Sequence, residues 1–214
     1  MAAVGPTEGA PVPTPPGHDV RLADLEEADA LARTLAHAFH EDPVFNWMFP
    51  DPEQRMSTSE RAFALYLKRI WMRHEETYRA AGTAGACVWE PPGTWKIGIG
   101  TQLSVLPAMA RIYGRALPRV LSALNALEKG HPVEPEHYYL AFMGVEPESQ
   151  GRGMGSGMMF PVLERCDSAK VAAYLEASSP RNRSLYERHG FSVTEEFHVG
   201  RGSPPVWRMW RDPQ

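Results

Sequence analysis

Two groups of residues in this chain have types and spacing that could do chemistry. The first is a glycine run, Gln150-Gly151-Arg152-Gly153-Met154-Gly155-Ser156. Glycine lets a backbone take positive φ and come close to a ligand. The run lies between an uncharged apolar stretch, residues 138–145, and a stretch with helical spacing. A helix start offers unpaired N–H groups and a partial positive charge, so this unit is built to hold phosphate. No Gly-Lys-Ser/Thr is present, which argues against a nucleoside-triphosphate loop. The dinucleotide pattern Gly-x-Gly-x-x-Gly fails at Ser156 or, started one glycine later, at Met158. The second group is Glu176, Asn182 and Tyr186. Glu176 ends a strand-like run, where its carboxylate would face a cleft from a rigid element. Burial there would raise its pKa and let it draw a proton off an ammonium. Asn182 and Tyr186 lie four apart and share a helix face.

The elements that must position these groups can be read in order. Asp19–Leu22 is a short first strand, and Asp24 caps a helix running to about His40. A second helix starts at Asp51-Pro52, or at Ser57 with Glu60, and runs to about His74. Thr77–Ala81 and Ala84–Glu90 form an antiparallel hairpin through Gly82-Thr83. Pro107 and Pro118 divide residues 101–130 into two short helices, which either form an arm over a site or simply cover a sheet edge. Residues 138–145 carry no charge and read as a strand buried on both faces. The helix after the glycine run buries Met158, Met159, Val162 and Leu163, and Lys170–Glu176 returns as a strand. That spacing predicts a right-handed parallel crossover. Arg181–His189 is a short helix, and Phe191–Val199 and Val206–Arg211 close the sheet.

Composition bounds the rest. The 214 residues, 43% hydrophobic, suffice for one good core and are too few for two comfortable domains. Residues 1–17 hold five prolines and three glycines and are expected to be a disordered tail, leaving 18–214 as one domain. A net charge of −4 gives no sign of a general nucleic-acid binder. No apolar segment is long enough to span a membrane, and the N-terminus lacks the pattern of a signal peptide, so a cytoplasmic location is expected. Cys87 and Cys166 read as buried free thiols. No metal is expected, because His37, His40, Glu41 and Asp42 have no partner cluster. Phe45, Trp47 and Phe49 fall in an irregular, proline-bounded segment and are either core or the wall of a binding cleft.

Gln150-Gly151-Arg152-Gly153-Met154-Gly155 has the form Gln-x-x-Gly-x-Gly and resembles the pyrophosphate loop of the GNAT acetyltransferases. Residues 137–211 match that organisation segment by segment. The stretches Tyr174–Asn182 and Leu185–Thr194 are similar to the puromycin N-acetyltransferase branch of the superfamily. The resemblance implies an α/β GNAT acyltransferase fold: a mixed, mostly antiparallel sheet, splayed between strands 4 and 5 and flanked by helices. It implies acetyl-CoA as cosubstrate. Backbone groups of Met143, Gly144 and Val145 would hold the pantetheine and acetyl, with the Val145 N–H near the thioester oxygen. Gln150, Gly151, Arg152, Gly153, Met154, Gly155 and Ser156 would wrap the pyrophosphate, and Asn182 would bond the pantetheine. The resemblance also makes Tyr186 the proton donor to the leaving thiolate and matches Glu176 to the branch's glutamate, a base or a group that orients the amine. His137 and His189 are further base candidates, each more in keeping with a structural role.

The acceptor is expected to be a primary amine of a small molecule, an aminonucleoside or antibiotic-like compound. Phe39, Asp42, Phe45, Trp47 and Tyr138 are the candidate acceptor contacts, since acidic and aromatic residues suit a cation with a flat ring. The alternatives are a protein N-terminus or lysine as acceptor, or a non-catalytic CoA-binding sensor. The chain is expected to be a monomer or homodimer with no nucleic-acid or membrane partner.

Overall fold

The computed structural model describes residues 19–214. The tail expected over 1–17 lies outside the described residues. The described residues form seven strands: β1 (Val20–Leu22), β2 (Thr77–Ala80), β3 (Gly85–Glu90), β4 (His137–Val145), β5 (Ala172–Ala177), β6 (Ser192–His198) and β7 (Pro205–Arg211). They make one sheet in the order β1-β2-β3-β4-β5-β7-β6. Every pairing is antiparallel except β4 with β5. That parallel pair runs only from His137 opposite Ala172 to Leu140 opposite Leu175. Beyond it the strands part, so residues 141–145 keep β3 on one side and leave the edge towards β5 open. The expected splay is present.

Among the described residues, seven α-helices cover the sheet: α1 (Ala28–Ala38), α2 (Pro43–Met48), α3 (Pro52–Arg69), α4 (Ile99–Tyr113), α5 (Leu117–Gly130), α6 (Met154–Ala169) and α7 (Pro180–Glu187). On one face, α6 buries Met158, Met159, Val162 and Cys166 completely against Cys87, Trp89, Leu140 and Leu175. Each such side chain contributes about 1.5–3 kcal/mol. On the other face, α1 and α3 pack Leu31, Leu35, Phe63 and Leu67 against Ala86 and Val88. A third cluster joins α2, α4 and α5 to the far strands through Phe49, Met109, Val120, Val199 and Val206.

Local chemistry explains most boundaries. Asp51 caps α3 by accepting from the N–H groups of Glu53 and Gln54, which selects the first of the two expected starts. Ser179 caps α7, with Pro180 at its first turn. Two expectations change. The segment 40–51 is not irregular throughout: Asp42 caps the short helix α2 with bonds from Val44 N and Phe45 N. The buried Arg55 guanidinium then pins its flanks, donating to the carbonyls of Phe49, Pro50 and His40. Pro107 does not divide residues 101–130. It lies on the exposed side of α4, where the carbonyl freed by its missing N–H can meet water. The break falls instead at Gly114, with φ 48°, and Pro118 sits in the first turn of α5.

Candidate active site

The glycine run is a backbone-built cradle. Gly151 (φ 77°) and Gly153 (φ 85°) are both left-handed, a conformation that side-chain-bearing residues rarely hold. Gly153 occupies the N-cap of α6, and Gln150 Nε2 donates to the Val145 carbonyl at 3.1 Å, fastening the loop to the end of β4. Ser156 Oγ lies 2.8 Å from His189 Nε2, which ties the first turn of α6 to the end of α7 and gives His189 a structural partner. Arg152 is exposed and donates to the Glu148 carbonyl. A Cβ on Gly144 would come within 2.7 Å of Ala38 Cβ, so glycine there lets α1 approach β4. A left-handed glycine pair, a helix start and the open edge of β4 together fit a pyrophosphate followed by an extended pantetheine arm.

On the α1 and α3 face a cavity of about 530 Å³ opens beside this edge. At its β4 end it is lined by Met143, Ser178, Asn182 and Tyr186. Tyr186 is buried and packs edge-on against Phe191 at 6.0 Å between ring centres. Burial raises the pKa of its phenol, reinforced by Cys87 and Asp42, so it holds its proton at neutral pH. Asp42 is also buried, and its carboxylate accepts from Ser178 Oγ as well as from the start of α2. It therefore fastens α2 to the β5–α7 turn, and burial pushes its pKa up against those bonds.

Glu176 lines the cavity. It shares one sheet face with Tyr174, two residues before it, while Ala173, Leu175 and Ala177 pack on the α6 side. Tyr174 Oη donates to Glu176 Oε1 at 2.8 Å, and the Tyr139 hydroxyl also bonds the carboxylate. Burial raises its pKa to about 7, against the lowering effects of the two phenols and Arg208. It is thus an acid poised near neutrality, as a general base for an ammonium requires.

Of the five candidate acceptor contacts, Phe39, Asp42 and Phe45 line the cavity and two residues do not. Tyr138 projects to the opposite face, packed on the α6 cluster beneath the Arg165 guanidinium at 5.5 Å. Strand parity is the reason: neighbours point to opposite faces, so Tyr139 faces the cavity and Tyr138 cannot. Trp47 lies outside it, where its ring fills the space left by Gly200 and stacks under Arg119 at 6.0 Å. His137 is paired instead of basic. Its Nδ1 donates to the Pro135 carbonyl, which leaves Nε2 to accept from His131 Nε2 at 3.0 Å. His131 lines the cavity, stacked on Trp95, and burial lowers its pKa to about 3. Both Cys87 and Cys166 are buried free thiols. Among the described residues no group of three His, Cys, Asp or Glu is placed to hold a metal ion, and no helix is long and apolar enough to cross a membrane.

Sequence reasoning missed Glu90, Tyr139, Tyr174 and Arg208. Register aligns them: Glu90 stands opposite Tyr139, Tyr139 opposite Tyr174, and Glu176 opposite Arg208. A charge ending a buried strand, as Glu90 does, was the one signal available.

Residues 129–206 match the family model described as an acetyltransferase (GNAT) domain. The chain carries a GNAT acetyltransferase domain. Its class is that of an acyltransferase, and acyltransferases of this kind take acetyl from acetyl-CoA. An uncharacterized N-acetyltransferase, C550.08 of Schizosaccharomyces pombe, is 24% identical over 207 residues, covering 91% of this chain and 83% of the relative. Among solved structures, a protein of Corynebacterium glutamicum described as histone acetyltransferase HPA2 and related acetyltransferase superposes with a TM-score of 0.70. It is 23% identical, over 92% of this chain and 97% of its own. A polyamine N-acetyltransferase of Drosophila melanogaster that forms N-acetylagmatine superposes at 0.63, 19% identical, over 92% of this chain and all of its own. The structural likenesses establish the GNAT fold.

Proposed function

We propose that this protein is an acetyl-CoA-dependent N-acetyltransferase acting on the primary amine of a small molecule. One observation carries the reading: α4 and α5 wall a cavity in which Glu176, Asn182 and Tyr186 meet beside the open edge of β4. A protein chain as acceptor would need an open acidic groove, and the walls here are mainly apolar. Drosophila polyamine N-acetyltransferase, on the same fold, also acts on a small amine. The likeness of Tyr174–Asn182 and Leu185–Thr194 to the puromycin branch is a further, sequence-only argument for a small acceptor.

Acetyl-CoA supplies the acetyl group as a thioester. Residues 143–145 and 150–156, with Asn182, would hold it through the edge, the loop and α7. Glu176, held by Tyr139 and Tyr174, accepts the proton of the bound ammonium and leaves a nucleophilic amine. Tyr186 Oη holds a proton at the β4 end of the cavity for the departing thiolate.

The test is thiol release from acetyl-CoA with amines that include puromycin, polyamines and short peptides. Release with small amines and not with peptides is expected. Release with peptides alone overturns the reading, as does no release from any amine when calorimetry detects acetyl-CoA binding.

A further inference from the structure

The last residue of β3 is a carboxylate with no charged partner. Glu90 is 3% exposed and lines the cavity, and its Oε2 is buried without a hydrogen-bond partner. The Trp71 side chain bonds the carboxylate, and the ionisable groups acting on it from the neighbouring strands are Tyr139 and Glu176. None of these brings positive charge. Arg208, the cation acting on Glu176, is already engaged, donating to Glu195 Oε2 and the Ala126 carbonyl. An unpaired buried carboxylate oxygen is costly to keep. Here burial, with the neighbouring Glu176, lifts the Glu90 pKa to about 8.

Two acids of the cavity lining, Glu90 and Glu176, thus stand close enough to act on each other. Of the other charged lining residues, Asp42 is already engaged by Ser178 and the start of α2, and Lys96 and Glu128 are exposed. Most of the remaining wall is apolar and includes Phe45, Phe49 and Phe63. From α4 and α5 come Leu103 and Leu124, which are 64% and 41% exposed yet line the same space. A single positive charge satisfies this pair. A second charge on the same ligand would meet phenylalanine and leucine side chains, or an Asp42 carboxylate whose bonds are already made.

We infer that Glu90 is the specificity-determining carboxylate of this site, holding with Glu176 the one ammonium of an acceptor whose remaining body is apolar: a hydrophobic primary monoamine. This rests on the proposed acetyl transfer to a small amine. Glu90 positions and selects, whereas Glu176, oriented by two phenols, moves the proton.

Thiol release and ligand-induced thermal shift would be measured on the full chain, wild type and Glu90→Gln, with octylamine, phenethylamine, a diamine of octylamine's length, spermidine and puromycin. The expected result has three parts. The monoamines turn over, the matched diamine has kcat/KM at least tenfold lower, and Glu90→Gln raises the monoamine KM about tenfold or more while changing kcat less. Glu176→Gln should show the reverse split. Turnover of spermidine or puromycin without stabilisation by either monoamine overturns the inference and leaves acetyl transfer standing. An unchanged monoamine KM in Glu90→Gln also overturns it. Stabilisation by octylamine that Glu90→Gln abolishes, with no thiol release from any amine, overturns the transfer reaction and upholds Glu90 as the ammonium-holding residue.

Discussion

The cosubstrate half and the acceptor half of this site are built from different material. The first is backbone: two left-handed glycines, a helix start and an unpaired strand edge, all between residues 141 and 157. The second is side chain, gathered from β3, β4, β5, α2, α3, α4, α5 and α7 across most of the chain. The matched family segment, 129–206, contains the whole of the first half and also Glu176, Asn182 and Tyr186. Most of the acceptor wall, from Phe39 to Glu128, lies outside it. Backbone recognition tolerates change in side chains and keeps a spacing, so it reads as a motif. A side-chain pocket keeps a shape, and many sequences can make one.

The sharpest way to break this comparison is Glu176→Gln. If the acceptor half performs the proton transfer, kcat should fall about 10²–10⁴-fold. Acetyl-CoA affinity by calorimetry should stay within about twofold. In the wild type, kcat/KM should rise with pH through about 7, because Glu176 must lose its proton to act. In the variant that limb should vanish, and an unchanged profile would remove Glu176 from the chemistry.

The converse experiment strikes the backbone half. Gly153→Ala forces a Cβ onto a residue at φ 85°, at about 1–2 kcal/mol. Acetyl-CoA should bind roughly tenfold more weakly, with the amine KM little altered. If the amine KM changes as much as cosubstrate affinity, the halves are not separable.

Stability against pH gives a third, smaller test. Burial raises Glu176 to about 7 and Glu90 to about 8, well above a carboxylate's usual value near 4.5. The folded chain therefore binds more protons than the unfolded chain between those values. The stability linked to these groups is fully present below about 4.5 and is lost as pH rises through 7 to 8. Glu90→Gln should flatten this decline and raise the melting temperature at pH 8, by about 2–4 °C for each kcal/mol gained. A melting temperature that falls equally at pH 6 and pH 8 would argue for a simple packing role. The smallest effect is expected from Tyr138→Phe, which keeps the ring beneath Arg165 on the far face; the amine KM should stay within about twofold.

Some expected acceptor contacts lie away from the cavity, and some of its lining was not foreseen, for identifiable reasons. Tyr138 is one residue from Tyr139, which lines the cavity, and in a strand one residue means the other face. Glu90 could not be paired with Tyr139 from sequence, because a register shift between Val88 and Trp89 displaces the alignment. Continued in step from Val88 opposite Phe142, Glu90 would have faced Leu140. Trp47 fell outside because α2 turns it towards Gly200, a neighbour more than 150 positions later. The break at Gly114, where Pro107 was expected to act, reflects exposure, which decides whether a proline's lost hydrogen bond matters.

By itself the sequence determined most of the order of elements, the buried face of α6, a choice of two starts for α3, the parallel crossover and the glycine run before α6. Each depends on residues near one another along the chain, where covalent geometry and local hydrogen bonding decide the outcome. Tertiary structure alone decided which carboxylates share a cavity, which aromatics wall it and which merely fill the core. Those outcomes depend on register across the sheet and on helices that arrive from distant positions, and no local spacing encodes them.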